Sequence, residues 1–216
     1  MPEILENKLN TLIDTYTTGE FYPEAFKAKQ EFFEQAGTVY DDDTEYDQRM
    51  SLFMDWYIFD RQIPSLNMPP ILHFIRQNQS QMNETDKQIF ENLSHSIHSI
   101  FIFKGNTFFG KKIVVQDLFS RKTYKVMEPK MKQAFSRGDV FEGRLFPHNG
   151  QFHFSLGFCF HPVEMKSFIA NEIKKIRFQD RDRHLQLILQ FAQMKLKHQR
   201  FAHIDVKHIY GFDSKF

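Results

Sequence analysis

The stretch that most constrains the fold is residues 140–160, because two independent signals in it agree. Asn149-Gly150 is a two-residue loop in which both positions accept positive φ, the mark of a tight type I′ hairpin. Counting outward from that loop pairs Leu145 with Phe154, Gly143 with Leu156 and Phe141 with Phe158. Residues two apart on a strand share a face, so Phe152, Phe154, Leu156, Phe158 and Phe160 form one unbroken apolar row. Turn register and alternation thus predict the same hairpin with the same buried face. The opposite face carries Glu142, Arg144, Phe146, His153, Ser155 and Cys159.

Three more strands precede the hairpin, at 97–104, 111–118 and 123–127. Gly105-Asn106, Ser120-Arg121 and Gly138-Asp139 mark the joints. Five short strands in so few residues predict a small antiparallel five-stranded sheet or partly open barrel. Phenylalanine accounts for 26 of the 216 residues, enough to fill such a core with rings.

Upstream the pattern is helical. Ile4, Leu5, Leu9, Leu12, Ile13 and Tyr16 lie on one face of a helix over 3–17. A second helix enters at Pro23 and stops at Gly37. A third spans 44–59, and its second half, Phe53 to Phe59, is aromatic on most sides. That half contains the only tryptophan, Trp56, and is the predicted packing centre of the helical part. The run Asp41-Asp42-Asp43-Thr44 lacks the spaced acids and glycine of a calcium loop, so it reads as the N-cap of this helix. Asp55 and Asp60 are five apart, about 140° around a helix, so they do not form a carboxylate pair on one face. Asp60-Arg61 instead caps the helix or bridges to a neighbour.

Pro64, Pro69 and Pro70 mark a connection, and Pro70 opens a fourth helix. Asn83 or Thr85 caps a fifth. After the sheet, 163–200 is the longest helical pattern, with a break near 179–182. A helix of this length must lie across the first half or mediate self-association. Asp205 caps a last short turn, or Ile204 and Val206 add an edge strand. The fold class is α+β: N-terminal helices, the small sheet, and a long C-terminal helix. The regions are 1–96, 97–162 and 163–216, together one compact unit.

Chemical motifs are scarce. No apolar run reaches about 18 residues, and the N-terminus is acidic and amphipathic, so the cytoplasm is the expected compartment. A single cysteine, Cys159, rules out an intramolecular disulfide and a Cys-rich zinc site. His95 and His98 are three apart but lack a third ligand, and are placed at a helix end or its transition to a strand. Cys159 and His161 share a strand face about 6–7 Å apart, without an orienting carboxamide or carboxylate. No phosphate loop, dinucleotide fingerprint or nucleophile elbow occurs, so no cofactor is implied.

Charge is divided unevenly. Residues 1–100 carry 7 Lys+Arg against 17 Asp+Glu, a net of −10, and residues 101–216 carry 21 against 10, a net of +11. Either the halves dock through opposite charge, or the basic half meets a polyanion. Phe108, Phe109 and Phe119 lie among the basic residues of the β section as exposed aromatics, a pattern compatible with stacking single-stranded nucleic acid. The candidate binding residues are Lys111, Lys112, Arg121, Lys122, Arg144 and His153, with Asp60 and Arg61 at the end of the third helix. A protein partner is the leading expectation, nucleic acid the second, and an enzyme site near Asp55, Asp60 and Arg61 the third.

Three segments carry a resemblance: Trp56-Tyr57-Ile58-Phe59-Asp60, Val115-Gln116-Asp117-Leu118-Phe119 and Gly138-Asp139-Val140-Phe141-Glu142-Gly143-Arg144-Leu145. Over roughly 50–162 the chain is similar to the globular region of bacterial proteins, some of which end in a zinc-binding SEC-C motif. This chain lacks the Cys-rich tail, so the resemblance implies no zinc role and no particular activity.

Overall fold

The computed structural model describes residues 1–107, 112–128 and 134–214. Five helices come first: α1 (Glu3–Thr17), α2 (Tyr22–Ala36), α3 (Tyr46–Phe59), α4 (Pro70–Asn78) and α5 (Glu84–Ser94). Five strands follow: β1 (Ile97–Asn106), β2 (Ile113–Asp117), β3 (Thr123–Val126), β4 (Val140–His148) and β5 (Gln151–His161). The chain then returns as α6 (Lys166–Ile176), α7 (Arg181–Arg200) and α8 (Val206–Ile209). The architecture is α+β with a long C-terminal helix, α7.

Local signals act where the sequence places them. Gly37 ends α2 at φ 93°. Asn83 caps α5 through the N–H of Asp86. The break in the long C-terminal pattern is real, because Asp180 accepts the N–H of Arg183 and starts α7 afresh. Asp205 caps α8 rather than preceding an edge strand. The Asp41–Thr44 run does not cap α3. Glu45 holds that position without a side-chain bond, and Asp43 instead accepts the N–H of Tyr40 and an Arg200 N–H.

The strands pair in the order β1-β2-β3-β5-β4, and β4 pairs back onto β1. The seam is a single parallel bridge, Val126 to Phe152. The sheet is therefore mixed, not antiparallel throughout. Five is an odd number, so strands that alternate in direction cannot close on themselves without one parallel pair. Among the described residues, ten buried side chains fill the inside of the curl, six of them phenylalanines: Phe101, Phe103, Phe135, Phe141, Phe154 and Phe158. Ring centroids stand 5.0 Å apart for Phe135–Phe141 and 5.1 Å for Phe154–Phe158, the spacing of tilted aromatic pairs.

The hairpin loop has the expected backbone, with φ 48° at Asn149 and 69° at Gly150. Leu145 faces Phe154 as counted. Beyond that the expected register fails. Gly143 faces Phe158 and Phe141 faces Phe160, with a bulge between Gly143 and Leu145. Three residues of β5, Ser155 to Gly157, thus stand opposite one residue of β4, Arg144. The bulge turns Leu156 out to 66% exposure and breaks the apolar row, while Phe154 is 1% exposed. Bulges disrupt the ladder and bend the strand locally.

A second core lies among α1, α2, α3 and α5, joined by Phe146 and Cys159 from the sheet and Leu189, Ala192 and Leu196 from α7. Arg49 of α3 is buried within it and donates to the carbonyls of Ala36, at the end of α2, and Ala192 of α7. Its two donors tie the helical start to the returning helix. A third core packs α6, α7 and α8 on the outer face of β1, around Ile100, Ile188 and Phe191.

Candidate functional site

The C-terminal half of α3 lies directly on the β5 bulge. Gly157 permits this contact: a Cβ there would stand 3.0 Å from the Leu52 nitrogen and 3.1 Å from Asp55 Oδ2. The helix ends immediately beyond, so Asp60 reaches over the edge of the sheet.

Asp60 is the hub of a buried charge cluster. Its Oδ2 accepts from His98 Nδ1 at 2.8 Å and from Arg144 Nη2. Its Oδ1 accepts from Arg181 Nη2 at 2.9 Å. The other nitrogen of His98 lies 2.9 Å from Glu142 Oε1. Arg144 also donates to Ser96 at 2.9 Å and covers the Phe59 ring at 4.9 Å. The Asp60, His98, Glu142 and Arg144 side chains are all at most 5% exposed.

Both His98 nitrogens face carboxylates, and only an imidazolium donates from both. Burial alone lowers the His98 pKa, but Asp60 and Glu142 together raise it. Burial alone raises Asp60, but Arg144, His98 and Arg181 hold it well below the usual carboxylate range. A buried histidine between two carboxylates has the layout of a proton relay, and Asp60 also lines an open cleft of about 430 Å³ with Arg61, Asp182 and Arg183. The cluster is a clasp between α3, β1, β4 and α7. Arg181, Lys195 and Arg200 pair with Asp60, Glu45 and Asp43, so opposite charge does join the two halves of the chain.

Asp55 sits beside this clasp but outside its hydrogen bonds. Its Oδ2 is buried and has no hydrogen-bond partner among the described residues, and the same holds for Ser155 Oγ on the bulge. The hydroxyl stands near enough to favour the ionised carboxylate without meeting hydrogen-bond geometry. Burial pushes Asp55 up to about 6, against the opposing charge of Arg144. Both residues line a cavity of about 180 Å³ between α1, α3 and the bulge. Met50 and Met54 also line an open groove of about 580 Å³ across α2 and α3, together with Phe26 and Phe33.

Of the residues singled out from sequence, Asp60 and Arg144 meet in the clasp. Arg61 turns away and pairs with Glu24 and Glu31, each at 2.7 Å, holding the end of α3 to α2. His153 is buried 4.0 Å from Glu128, which also pairs with the Met1 amino group. Lys112 meets Thr107 across the β1–β2 connection, its carbonyl accepting the Thr107 N–H and its N–H donating to Thr107 Oγ1, and Lys111 lies outside the described residues. Arg121 and Lys122 form the exposed β2–β3 turn, with Arg121 at φ 63°. Phe108 and Phe109 are also outside the described residues. Phe119 is not exposed: it is buried with its ring centroid 4.3 Å from that of His184. Arg121 instead joins Lys174 and Arg177 of the α6 end in a cleft of about 370 Å³.

Cys159 and His161 do not pair. His161 meets Tyr210 at 3.1 Å, and burial pushes the Cys159 thiol up to about 12. Among the described residues no cluster of His, Cys, Asp and Glu is arranged to hold a metal ion, and no helix is long and apolar enough to cross a membrane.

His98, Glu142 and Arg181 escaped the sequence reading as site residues. One signal was present: Glu142 and Arg144 interrupt a strand of large apolar residues, and such charges must be paired.

These features define an α+β protein with a buried ionic clasp and two apolar recesses on its helical half. The chain belongs to the DUF7986 family, a family of unknown function, whose model matches residues 6–194. No curated protein and no solved structure matches it.

Proposed function

We propose that this is a bacterial regulatory or adaptor protein that binds another protein through the groove across α2 and α3. The observation that carries the reading is an apolar surface left uncovered. Tyr22 and Phe26 are 59% and 54% exposed at the edge of the groove, and Phe33, Met50 and Met54 line it. Exposed apolar patches of this kind mark interaction sites, and methionines adapt such a surface to its partner. The first hundred residues carry a net charge of −10, from 7 Lys+Arg and 17 Asp+Glu. The fitting occupant is an amphipathic segment with apolar anchors and basic flanks.

The test compares variants as bait in extract of the native host. Wild type and Arg177→Glu should retain a protein that Phe26→Glu loses. With that protein purified, Phe26→Glu should weaken binding at least tenfold, within the range of an aromatic hot spot. Equal retention by all three would overturn the reading.

A second reading rests on the cleft of Arg121, Lys174 and Arg177. Arg177 Nε is buried and has no hydrogen-bond partner among the described residues, and three converging cations suit the phosphates of a nucleic acid. Binding of single-stranded oligonucleotide that falls steeply with salt and is lost in Arg177→Glu supports it. No binding at low salt removes it.

A further inference from the structure

The cavity under α1 is chemically different from the groove, and its reading stands apart from the one above. Its walls are mainly apolar, with Leu9 and Ile13 of α1 and Met54, Ile58 and Phe59 of α3, and also carry Asn10 of α1 and Ser51 of α3. Asp55 and Ser155 also line it, and Asp55 Oδ2 and Ser155 Oγ are buried without hydrogen-bond partners among the described residues. An unpaired buried acceptor is costly, and an unpaired buried carboxylate more so. The residues that line the cavity include Glu6 but no lysine, arginine or histidine.

We propose that this cavity binds a small primary amine. The apolar body fills the slot, and the ammonium donates to Asp55 and Ser155. Size sets the upper limit. A cavity of about 150 Å³ accommodates benzene, so about 180 Å³ takes a single ring or a short alkyl chain with its head group. Charge sets the preference. Arg144 of β4 and His98 of β1, the cations that act on Asp55, already donate to Asp60 and Glu142. Neither carries a hydrogen bond to Asp55, so among the described residues its Oδ2 is left without a donor. An alcohol would leave the carboxylate charge unmatched, and a carboxylic acid would add a second one.

The Asp55 carboxyl sits near pH 6 because of its burial, opposed by Arg144, the nearby Ser155 hydroxyl and His98, and helped by Asp60. A bound ammonium favours the ionised form. Affinity should therefore rise about fourfold from pH 5.5 to pH 7.5, as the acid gives up its proton.

Benzylamine titrated into the full chain at pH 7.5, followed by amide shifts in NMR, tests this. Saturable shifts should appear at Met54, Ser155 and Leu156, with a Kd at or below about 5 mM for a ligand of this size. Asp55→Asn should weaken binding at least tenfold, and benzyl alcohol should bind wild type at least tenfold more weakly. Ser51→Phe, which fills the cavity without altering either acceptor, should abolish binding and provides a second, independent test. Absence of saturable shifts in wild type overturns the proposal. So does equal affinity for amine and alcohol, or unchanged affinity in either folded variant.

Discussion

Asp60 and Arg144, 84 residues apart in sequence, share a buried hydrogen bond that joins the end of α3 to the middle of β4. Each side chain is at most 5% exposed, so the pair sits beyond the screening that makes surface ion pairs weak. Asp60→Ala leaves His98, Arg144 and Arg181 without their shared carboxylate. Removing one partner of a buried ionic group costs about 3–5 kcal/mol. Urea unfolding should show a loss of that size, and a loss below about 1 kcal/mol would mean that the clasp does not hold the two halves together.

The three titrating groups at this junction set opposing pH trends. Asp60 is held below its ordinary value, so its contribution is present above about pH 4 and fades in stronger acid. His98 is raised, so its contribution is present below about pH 6.5 and is lost as pH climbs through the folded value. Asp55 is raised to about 6, so the folded state loses stability as pH climbs from about 4 to 6. Stability should peak in mildly acidic solution and decline toward pH 8. Asp55→Asn should raise stability at pH 7 by up to about 3 kcal/mol, since one pKa unit is about 1.4 kcal/mol, and change little at pH 4. Urea midpoints at the two pH values measure this; equal effects at both would contradict it.

Phe154 and Leu156 were neighbours in one predicted apolar row, and the bulge separates their fates. Phe154→Ala should cost about 3–5 kcal/mol as a core ring deletion. Leu156→Ala, at 66% exposure, should stay within about 0.5 kcal/mol. Comparable losses in chemical denaturation would return Leu156 to the core.

Gly157→Ala tests the helix–strand contact. The new methyl would stand 3.0 Å from the Leu52 nitrogen, a backbone atom that cannot rotate away. A destabilisation of about 1–3 kcal/mol is expected from such overpacking, read from the thermal midpoint or from urea. A neutral change would show that α3 slides freely over β5.

Cys159 should behave as an inert thiol. Burial holds it protonated up to about pH 12, and the thiolate is the reactive form. A disulfide reagent should label it rapidly in denaturant and far more slowly in the native protein at pH 8. Equal rates would place the sulfur at the surface.

Elements defined by neighbours in the chain could be read without coordinates. Asn149-Gly150, Gly37, Asn83 and Asp205 act within a few residues of themselves, and each turns or caps the chain where its chemistry demands. The alternation of phenylalanines likewise identified β5, though not its bulge. Alternation continues through Ser155, Leu156 and Gly157 whether or not the ladder does, so nothing local announces the slip. The parallel seam was hidden for a related reason: only the closing of five strands on themselves requires it.

Sequence alone thus determined the order of the main helices and strands and that the sheet would be filled with rings, because local backbone preference and side-chain periodicity decide these; the start of α3 and the choice between helix and strand after residue 204 needed the structure. Tertiary structure alone decided that Asp60 would meet His98, Arg144 and Arg181, that Arg61 would turn away from them, and that Asp55 and Ser155 would share a cavity. Those pairings depend on where α3 comes to rest against β5, and that position follows from the packing of side chains far apart in the chain.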